Sequence, residues 1–328
     1  MIMTVGSIMA TGAVLMIAWS PHPVIFAAGW LLAGLAMSGV LYQPAFAALT
    51  RWYGPRRLTA LTAVTLVAGL ASTVFAPLTN ALGTRLDWRT VYVVLGALLA
   101  VTTIPLHAVA LRRPWPAEPH PTLPTAGADD GDYATKIIRS RSFVSLAIGL
   151  TAASLAMYAV VINLIPLLTE RGLTPSLAAW ALGLGGVGQV TGRLLYAPLA
   201  ARLNLRTRTM IVFGFAAAAT AAFAIVPGPA GLLIAISIAA GLARGIATLL
   251  QATAVPDRWG SRSYGRISGL LAAPITITSA LAPWIGAGIA AFTGYQTMFL
   301  CLAVIGAAAA IVLTASTVPT ARLPKIID

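Results

Sequence analysis

The chain has 328 residues, of which 59% are hydrophobic and only 9% are charged, and its mean hydropathy is +0.88. So much apolar surface exceeds what a soluble domain of this size can bury, which excludes an ordinary soluble enzyme or binding module. The formal net charge of +13 would suit a nucleic-acid-binding protein, so the placement of the charges along the chain decides between these classes.

The apolar runs predict an all-α, polytopic membrane protein. They are 18 to 27 residues long, enough to cross a hydrocarbon core of roughly 30 Å at about 1.5 Å per residue. In lipid the backbone polar groups must be satisfied within each segment, which requires helices. We predict ten transmembrane helices, a to j, over residues 1–19, 24–49, 58–82, 90–111, 142–168, 176–199, 209–226, 230–255, 267–292 and 297–316.

The basic residues follow the loops between these helices. Of 21 Lys and Arg, 16 fall on one set of alternating loops and tails, three fall on the opposite loops, and two lie inside spans. This asymmetry is the positive-inside pattern of a membrane protein and predicts that both termini are cytoplasmic. It also argues against nucleic-acid binding. The three basic residues on the outer side are Arg85, Arg89 and Arg171, and the two within spans are Arg193 and Arg244.

The second half of the chain repeats the first at an offset of about 207 residues. Corresponding markers keep this spacing within about two residues: Gly6 with Gly214, Pro21 with Pro227, Ala33 with Ala240, Trp52 with Trp259, and Pro77 with Pro283. Internal duplication of membrane helices is typical of secondary transporters. By this repeat, helices a–d correspond to g–j, and helices e and f have no counterpart.

The repeat and the linker composition predict the domain organisation. Residues 1–111 form a bundle of four helices, and residues 142–316 form a bundle of six. The segment 112–141 is rich in Pro, Gly, Asp and Arg and is a polar cytoplasmic linker, and residues 317–328 are a cytoplasmic tail. A complete array would have six plus six helices, so we expect a two-bundle architecture from which the first two helices are missing.

Several stretches resemble the major facilitator superfamily, and in particular its bacterial members related to monocarboxylate transporters. They are "LYQPAFAALTRWYGPRRLTALTAVTLVAGLASTVFAPL", "WRTVYVVLGALL" and "NLIPLLTERGLTPSLAAWALGLGGVGQVTGRLLYAPLAARL". The resemblance implies transport by alternating access between two helix bundles. The chain departs from the family in two respects. The first two helices are absent, and the family's antiporter signature is reduced to Gly69 and Pro77.

Arg244 is the strongest candidate site residue. It lies deep within helix h, about 20 Å from either end of the predicted span at about 1.5 Å per residue. A charge at this depth costs about 2.5–3.5 kcal/mol, so the side chain must face protein, water or ligand. Thr248 and Gln251 follow it at i+4 and i+7, on the same helical face. The alternative is an arginine that bonds only to backbone carbonyls of a neighbouring helix.

Arg193 and Gln189 form a second candidate pair, four residues apart on helix f. In the monocarboxylate transporters that this chain resembles, an acidic residue precedes an arginine implicated in anion binding by four positions. Here the arginine is kept and the acid is an amide, so the resemblance implies anion recognition without protonation at this site. The alternative is a structural arginine near the cytoplasmic end of the helix.

Other polar residues in the spans complete the candidate set. Tyr158 and Asn163 lie on helix e, and Gln43 lies on helix b. For any one of them, a hydrogen bond between helices is the more common role, and their convergence with the two arginines makes them candidates for the site. All eight acidic residues lie in loops or tails, so His107 is the one ionisable group in a span that could relay a proton, and an interfacial location is its alternative role.

These features predict a secondary active transporter of a small solute, in the plasma membrane and with both termini inside. Two arginines within spans and no carboxylate there favour an organic anion, with a proton as a candidate coupling ion. Two alternatives remain open: an efflux antiporter for a drug or metalloid, and a non-transporting remnant or membrane scaffold. The sequence contains no metal-ligand cluster, phosphate-binding loop or nucleophile motif, so neither a cofactor nor an enzymatic activity is expected.

Overall fold

A computed structural model describes residues 2–69, 71–111, 129–260 and 262–316, and the regular structure in these ranges is entirely helical. The chain divides into two compact units, Met1–Thr122 and Leu123–Asp328. The helices of the first unit are α1 (Ile2–Ala18), α2 (Pro23–Val40), α3 (Tyr42–Tyr53), a short 3-10 turn (Gly54–Arg56), α4 (Arg57–Gly69), α5 (Ala71–Gly83) and α6 (Trp88–Ala110).

The second unit contains seven described helices. They are α7 (Asp129–Ile138), α8 (Arg141–Glu170), α9 (Pro175–Arg202), α10 (Leu205–Ile225), α11 (Ala230–Thr253), α12 (Pro256–Trp259) and α13 (Tyr264–Ala315).

Side-chain caps explain where several of these helices begin. An N-cap side chain accepts a hydrogen bond from one of the first backbone N–H groups, which have no partner inside the helix. Ser140 caps α8 in this way, Thr174 caps α9, and Asn204 caps α10. Pro175 follows Thr174 at the first helical position, where its missing N–H costs nothing.

In the first unit, α1 contacts both α2 and α6 through small residues. A Cβ at Gly6 of α1 would lie 2.7 Å from Cγ1 of Val40, and one at Gly96 of α6 would lie 3.2 Å from Cγ1 of Val14. Glycines at these positions let the helices approach closely, which is how membrane helices gain packing energy without a hydrophobic driving force between them.

The second unit has a buried apolar core shared by α8, α9, α10, α11 and α13. At its centre, the rings of Phe223 on α10 and Phe299 on α13 meet edge to face with centroids 6.0 Å apart. Gly306 of α13 faces Ala217 of α10, where an added Cβ would lie 3.3 Å from the alanine Cβ. This contact resembles the one between Gly96 and α1 in the first unit.

The helix boundaries differ from the predicted spans at several places. Predicted helix b is divided into α2 and α3 at Leu41, whose backbone is extended, and predicted helix c corresponds to α4 and α5. Predicted helices i and j form one long α13 with a break at Gly294, where φ is 78°, a conformation that glycine adopts without a steric penalty. Residues 129–138 of the predicted linker form α7; the rest of that linker up to residue 128, and the tail 317–328, lie outside the described residues.

Six described helical stretches are long and apolar enough to cross a membrane. They are Pro23–Gly69, Trp88–Ala110, Arg141–Glu170, Leu205–Ile225, Ala230–Thr253 and Tyr264–Ala315, and Ile2–Ala18 is a shorter apolar helix. Together with the all-helical architecture, they establish a polytopic integral membrane protein.

Candidate solute-binding cavity

A cavity of about 180 Å³ lies within the second unit, between α8, α9, α10 and α11. Its polar lining comes from three of these helices and its apolar lining from α8, α10 and α11. The lining residues are Leu150, Ser154, Met157, Tyr158, Val161, Gln189, Phe213, Arg244, Ala247, Thr248 and Gln251.

One face of α11 supplies the charged wall of this cavity. Three polar residues of this face are spaced four and three positions apart, so the helical period places them on one side of α11. They are Arg244, Thr248 and Gln251. Because α11 ends at Thr253, Arg244 lies nine residues from its C-terminal end, about 14 Å at 1.5 Å per residue. That is nearer than the sequence predicted, yet it still exceeds the reach of an arginine side chain to the membrane surface.

The wall formed by α9 is held against α11 by glycines. Gly188 and Gly192 contact the backbone of α11, and Gly241 and Gly245 contact the backbone of α9, since an added Cβ at any of the four would overlap a main-chain carbonyl of the other helix. Both pairs have the spacing of four that favours close helix pairing in membranes. Gln189 follows Gly188, and its backbone carbonyl faces Gly245 on α11. Because Gly245 is next to Arg244 in the chain, Gln189 lies level with Arg244.

The cavity's polar atoms differ in their remaining hydrogen-bond capacity. The Thr248 hydroxyl donates to the Arg244 carbonyl across 2.8 Å, so its oxygen keeps only acceptor capacity. One guanidinium nitrogen of Arg244 lies 3.4 Å from the position of a Cβ on Gly185, alongside the glycine face of α9. Within the described ranges, no carboxylate or carbonyl forms an ion pair or hydrogen bond with the Arg244 guanidinium.

The structure brings together five of the eight residues that the sequence singled out. Arg244, Thr248, Gln251, Gln189 and Tyr158 all line the cavity. Their convergence depends on α8, α9 and α11 packing side by side, which the spacing within each helix alone does not determine.

The other three predicted residues lie elsewhere. Arg193 is 4% exposed and is not part of the cavity lining. Asn163 is buried between α8 and α13, where its Nδ2 donates to the Ala159 carbonyl across 2.9 Å and Gly286 makes room for it. Gln43 is exposed on α3 of the first unit. This hydrogen bond lies within α8, so it is not the hydrogen bond between helices that the sequence left open as an alternative.

The apolar lining was missed by sequence reasoning. Leu150, Met157, Val161, Phe213 and Ala247 are ordinary membrane-helix residues with no compositional signal. Ser154 had a weak one, because it precedes Tyr158 by four residues on the same face of α8. These side chains give the cavity an apolar part beside the charged wall.

Ionisable groups other than Arg244 are sparse at this site. Among the residues that the structure describes, the cavity lining contains no Asp, Glu or His, and no group of three or more His, Cys, Asp or Glu could hold a metal ion. His107 lies in the first unit, where its Nδ1 is 2.7 Å from the Ser7 hydroxyl on α1.

Comparison with known proteins identifies the family. The sequence profile of the Major Facilitator Superfamily matches residues 1–271 and 144–326. The chain therefore belongs to this superfamily and is a membrane transporter, not an enzyme.

Curated relatives and solved structures agree with this assignment. The chain is 27% identical to monocarboxylate transporter 13 of Bos taurus over 308 residues, which is 81% of this chain and 68% of the relative. It is 26% identical to the Rattus norvegicus protein over 312 residues, with the same coverage. In fold it is similar to crystal structures of the E. coli fucose:proton symporter FucP. One gives a TM-score of 0.76 at 16% identity over 97% of this chain and 84% of the symporter. Another, in the outward conformation, gives 0.73 at 17% identity over 97% and 83%.

Proposed function

We propose that this protein carries a small organic anion across the membrane by alternating access, and that Arg244 is the group that binds the anionic end of the solute. The observation that supports this most directly is the Arg244 guanidinium in the cavity, without a protein counterion among the described residues. A guanidinium offers a planar pair of donors that matches a carboxylate in a bidentate hydrogen bond.

The neighbouring polar groups suit the rest of a small polar solute. Gln189 and Gln251 each offer a donor and an acceptor, and Thr248 offers an acceptor. Leu150, Met157 and other apolar side chains of the lining contact the hydrocarbon part of such a solute. The names of the curated relatives, which are monocarboxylate transporters, agree with a carboxylate as the anionic group.

The size of the cavity suits a small solute. It measures about 180 Å³, which accommodates a solute of a few heavy atoms.

We further propose ten membrane crossings with both termini in the cytoplasm. The stretches Pro23–Gly69 and Tyr264–Ala315 contain 47 and 52 residues, whereas one crossing of the hydrocarbon core takes about 20 residues. Each therefore makes more than one crossing. In this proposal residues 1–111 and 142–316 are the two bundles, joined by the cytoplasmic segment 112–141.

Binding to the purified protein in lipid nanodiscs tests the role of Arg244. Isothermal titration calorimetry at neutral pH compares pyruvate, a small monoanion, with pyruvamide, which has the same shape but no charge. We expect pyruvate to bind and pyruvamide to bind at least tenfold more weakly, because hydrogen bonds to charged groups contribute about 1.5–3 kcal/mol. Equal binding of both compounds would contradict the proposal.

Two substitutions of Arg244 separate its charge from its geometry. Arg244→Ala should abolish pyruvate binding, and Arg244→Lys should weaken it because a lysine keeps the charge without the bidentate geometry. Arg202→Ala removes an exposed arginine at the end of α9 and is the matched control, expected to bind as the unaltered protein does. Unchanged affinity in Arg244→Ala would leave this arginine with a purely structural role.

A further inference from the structure

We infer that the solute has two different ends: it is a monocarboxylate that carries a neutral hydrogen-bonding group, a hydroxyl or an amide, at the far end of a chain of about four to five carbons. Arg244 binds the carboxylate, and Gln251 together with Thr248 binds the neutral end. This inference rests on the proposed role of Arg244 and adds the substrate class of the same cavity.

The guanidinium of Arg244 lies toward the N-terminal end of α11. One of its nitrogens is 3.4 Å from the position of a Cβ on Gly185, and the same position is 2.9 Å from the hydroxyl oxygen of Ser237. Because Ser237 precedes Arg244 by seven residues, the arginine side chain extends back along its own helix, the direction that long helical side chains usually take. The cationic group therefore lies at one end of the cavity.

Gln251 lies toward the other end of the cavity. It follows Arg244 by seven residues on the same face of α11, which separates the two Cα atoms by about 10 Å at 1.5 Å per residue. Because long side chains on a helix lean toward its N-terminus, the polar ends of both side chains keep a separation of this order. The Thr248 hydroxyl donates to the Arg244 carbonyl, so its oxygen adds an acceptor on the Gln251 side of the cavity.

The wall formed by α8 is ordered in the same direction. Short connections reverse the chain between α8 and α9, between α9 and α10, and between α10 and α11, so α8 runs antiparallel to α11. Tyr158 lies near the cationic end, where it is close enough to Arg244 for an electrostatic interaction. Ser154 precedes it by one helical turn and lies nearer to Gln251, so its hydroxyl adds a polar group to the neutral end.

Apolar side chains lie between the two ends. Ala247 lies between Arg244 and Gln251 on α11, Met157 lines the cavity from α8, and Phe213, which is 3% exposed, lines it from α10. This lining favours methylene groups in the middle of the solute, because a polar group there would lose its hydration without gaining a hydrogen bond.

The separation of the two ends determines the length of the solute. Each hydrogen bond takes up about 3 Å between heavy atoms, so protein groups about 10 Å apart leave roughly 4–6 Å between a carboxylate oxygen and the far polar atom of the solute. A chain of about four to five carbons spans this distance. Pyruvate is too short to reach both ends and reports on the Arg244 end alone.

Isothermal titration calorimetry on the protein in lipid nanodiscs compares 5-hydroxypentanoate with pentanoate, which has the same charge and chain but no far hydroxyl. We expect the hydroxy acid to bind at least about fivefold more tightly, because pentanoate leaves the polar groups at the Gln251 end without a partner. The advantage should depend on chain length. Glycolate should bind less than about twofold more tightly than acetate, since its hydroxyl is next to the carboxylate and does not reach Gln251.

Gln251→Leu removes the amide at the neutral end and keeps a side chain of similar size. In this variant pentanoate should bind at least as tightly as in the unaltered protein, and the advantage of the hydroxy acid should vanish. Gln189→Leu is the matched control, because it removes an amide level with Arg244 from the same cavity. It should change the affinity for both acids by the same factor. Should Gln251→Leu bind neither acid, the chain-length series in the unaltered protein decides the outcome.

The outcomes distinguish this inference from the proposed function. Equal affinity for 5-hydroxypentanoate and pentanoate, together with binding of pyruvate, overturns the inference and leaves the anion site at Arg244 intact. A hydroxyl advantage that is as large for glycolate as for 5-hydroxypentanoate overturns it as well, and so does an advantage that persists in Gln251→Leu or is lost in Gln189→Leu. Absence of binding of pyruvate and of both longer acids removes the proposed function, and this inference with it.

Discussion

Nη2 of Arg208, at the start of α10, donates to Oδ2 of Asp257 in α12 across 2.7 Å. The two side chains are only 7% and 23% exposed. The Arg208 guanidinium also lies over the ring of Tyr196, 5.1 Å from its centroid, and the Tyr196 hydroxyl is 2.6 Å from the Thr253 hydroxyl. These contacts tie the C-terminal end of α11, which carries the charged wall of the cavity, to α9 and α10.

Removing the acidic member of this ion pair should destabilise the protein. In Asp257→Asn the Arg208 guanidinium stays largely buried without a counterion, which typically costs about 3–5 kcal/mol when the pair is fully buried and less here because Asp257 is partly exposed. We expect the free energy of unfolding, measured in mixed micelles, to fall by about 2–3 kcal/mol. Asp132→Asn, at an exposed carboxylate on α7, is the control and should change it by less than about 0.5 kcal/mol.

The double variant Arg208→Gln/Asp257→Asn checks the cause. If the loss comes from an uncompensated charge, removing both charges should cost less than the sum of the two single substitutions. An additive double variant would show that the two side chains act independently.

Glycines on α9 should differ sharply in their tolerance of alanine. A Cβ at Gly188 would overlap the Ile238 carbonyl on α11, whereas a Cβ at Gly186 has no neighbour within 4 Å. Gly188→Ala should separate α9 from α11 and reduce both the thermal stability and pyruvate binding. Gly186→Ala should leave binding unchanged and stabilise the helix by up to about 1 kcal/mol. Similar behaviour of the two variants would contradict the close approach of the helices.

The N-cap of α6 should contribute stability that depends on pH. A hydrogen bond from the Thr90 hydroxyl, with further bonds from the backbone N–H groups of Thr90 and Arg89, lowers the pKa of Asp87 below its usual value of 3.8. Because the folded-state pKa is lowered, this stabilisation is present above pH 3.8 and is lost as the pH falls through the folded-state pKa.

Melting temperatures of the unaltered protein and of Asp87→Asn measured at a series of pH values test this linkage. The unaltered protein should melt at the higher temperature near pH 6, and the difference should shrink as the pH falls below 3.8. Thr90→Val removes the hydroxyl that donates to Asp87. In a Thr90→Val background, Asp87→Asn should therefore lower the melting temperature by a smaller amount. A gap that stays constant over this range would assign the effect to helix propensity alone.

The proposed topology can be tested by cysteine labelling on a Cys301→Ser background. Single cysteines at Gly228 and Thr293 should react with a membrane-impermeant maleimide in intact cells. Cysteines at Gly54 and Gly260 should react only after the membrane is permeabilised, because basic loops are retained in the cytoplasm. The reverse pattern would invert the proposed orientation.

Some features of this protein could be predicted because each depends on one segment at a time. Helices in lipid satisfy their own backbone groups, so long apolar runs predict helices without reference to their neighbours. Caps such as Thr174 and Asn204 act within a few residues of their own helix. The stripe of Arg244, Thr248 and Gln251 follows from the helical period alone.

Two outer arginines bind residues that are distant from them in the chain, and the sequence did not predict these contacts. Arg89 donates to the carbonyls of Ala18 and Ser20 at the end of α1, and Arg171 donates to the carbonyls of Ala224 and Val226 at the end of α10. Both cap the C-terminal ends of helices that the repeat relates to each other. The sequence predicted the side of the membrane for these charges but not the carbonyls that they bind.

The sequence by itself determined the helical class, the family resemblance and the polar face of α11, because local periodicity and the energetics of lipid fix these features. Tertiary packing decided which polar residues share a cavity. Gln189 and Arg193 are one helical turn apart on α9, yet only Gln189 lines the cavity. Because residues four apart share a helical face, the two differ in their position along the helix axis: the cavity is level with Gln189, and Arg193 lies one turn farther along. The contacts of Gly188 and Gly245 set the level at which α9 packs on α11, and such contacts between distant segments leave no periodic signal in either helix.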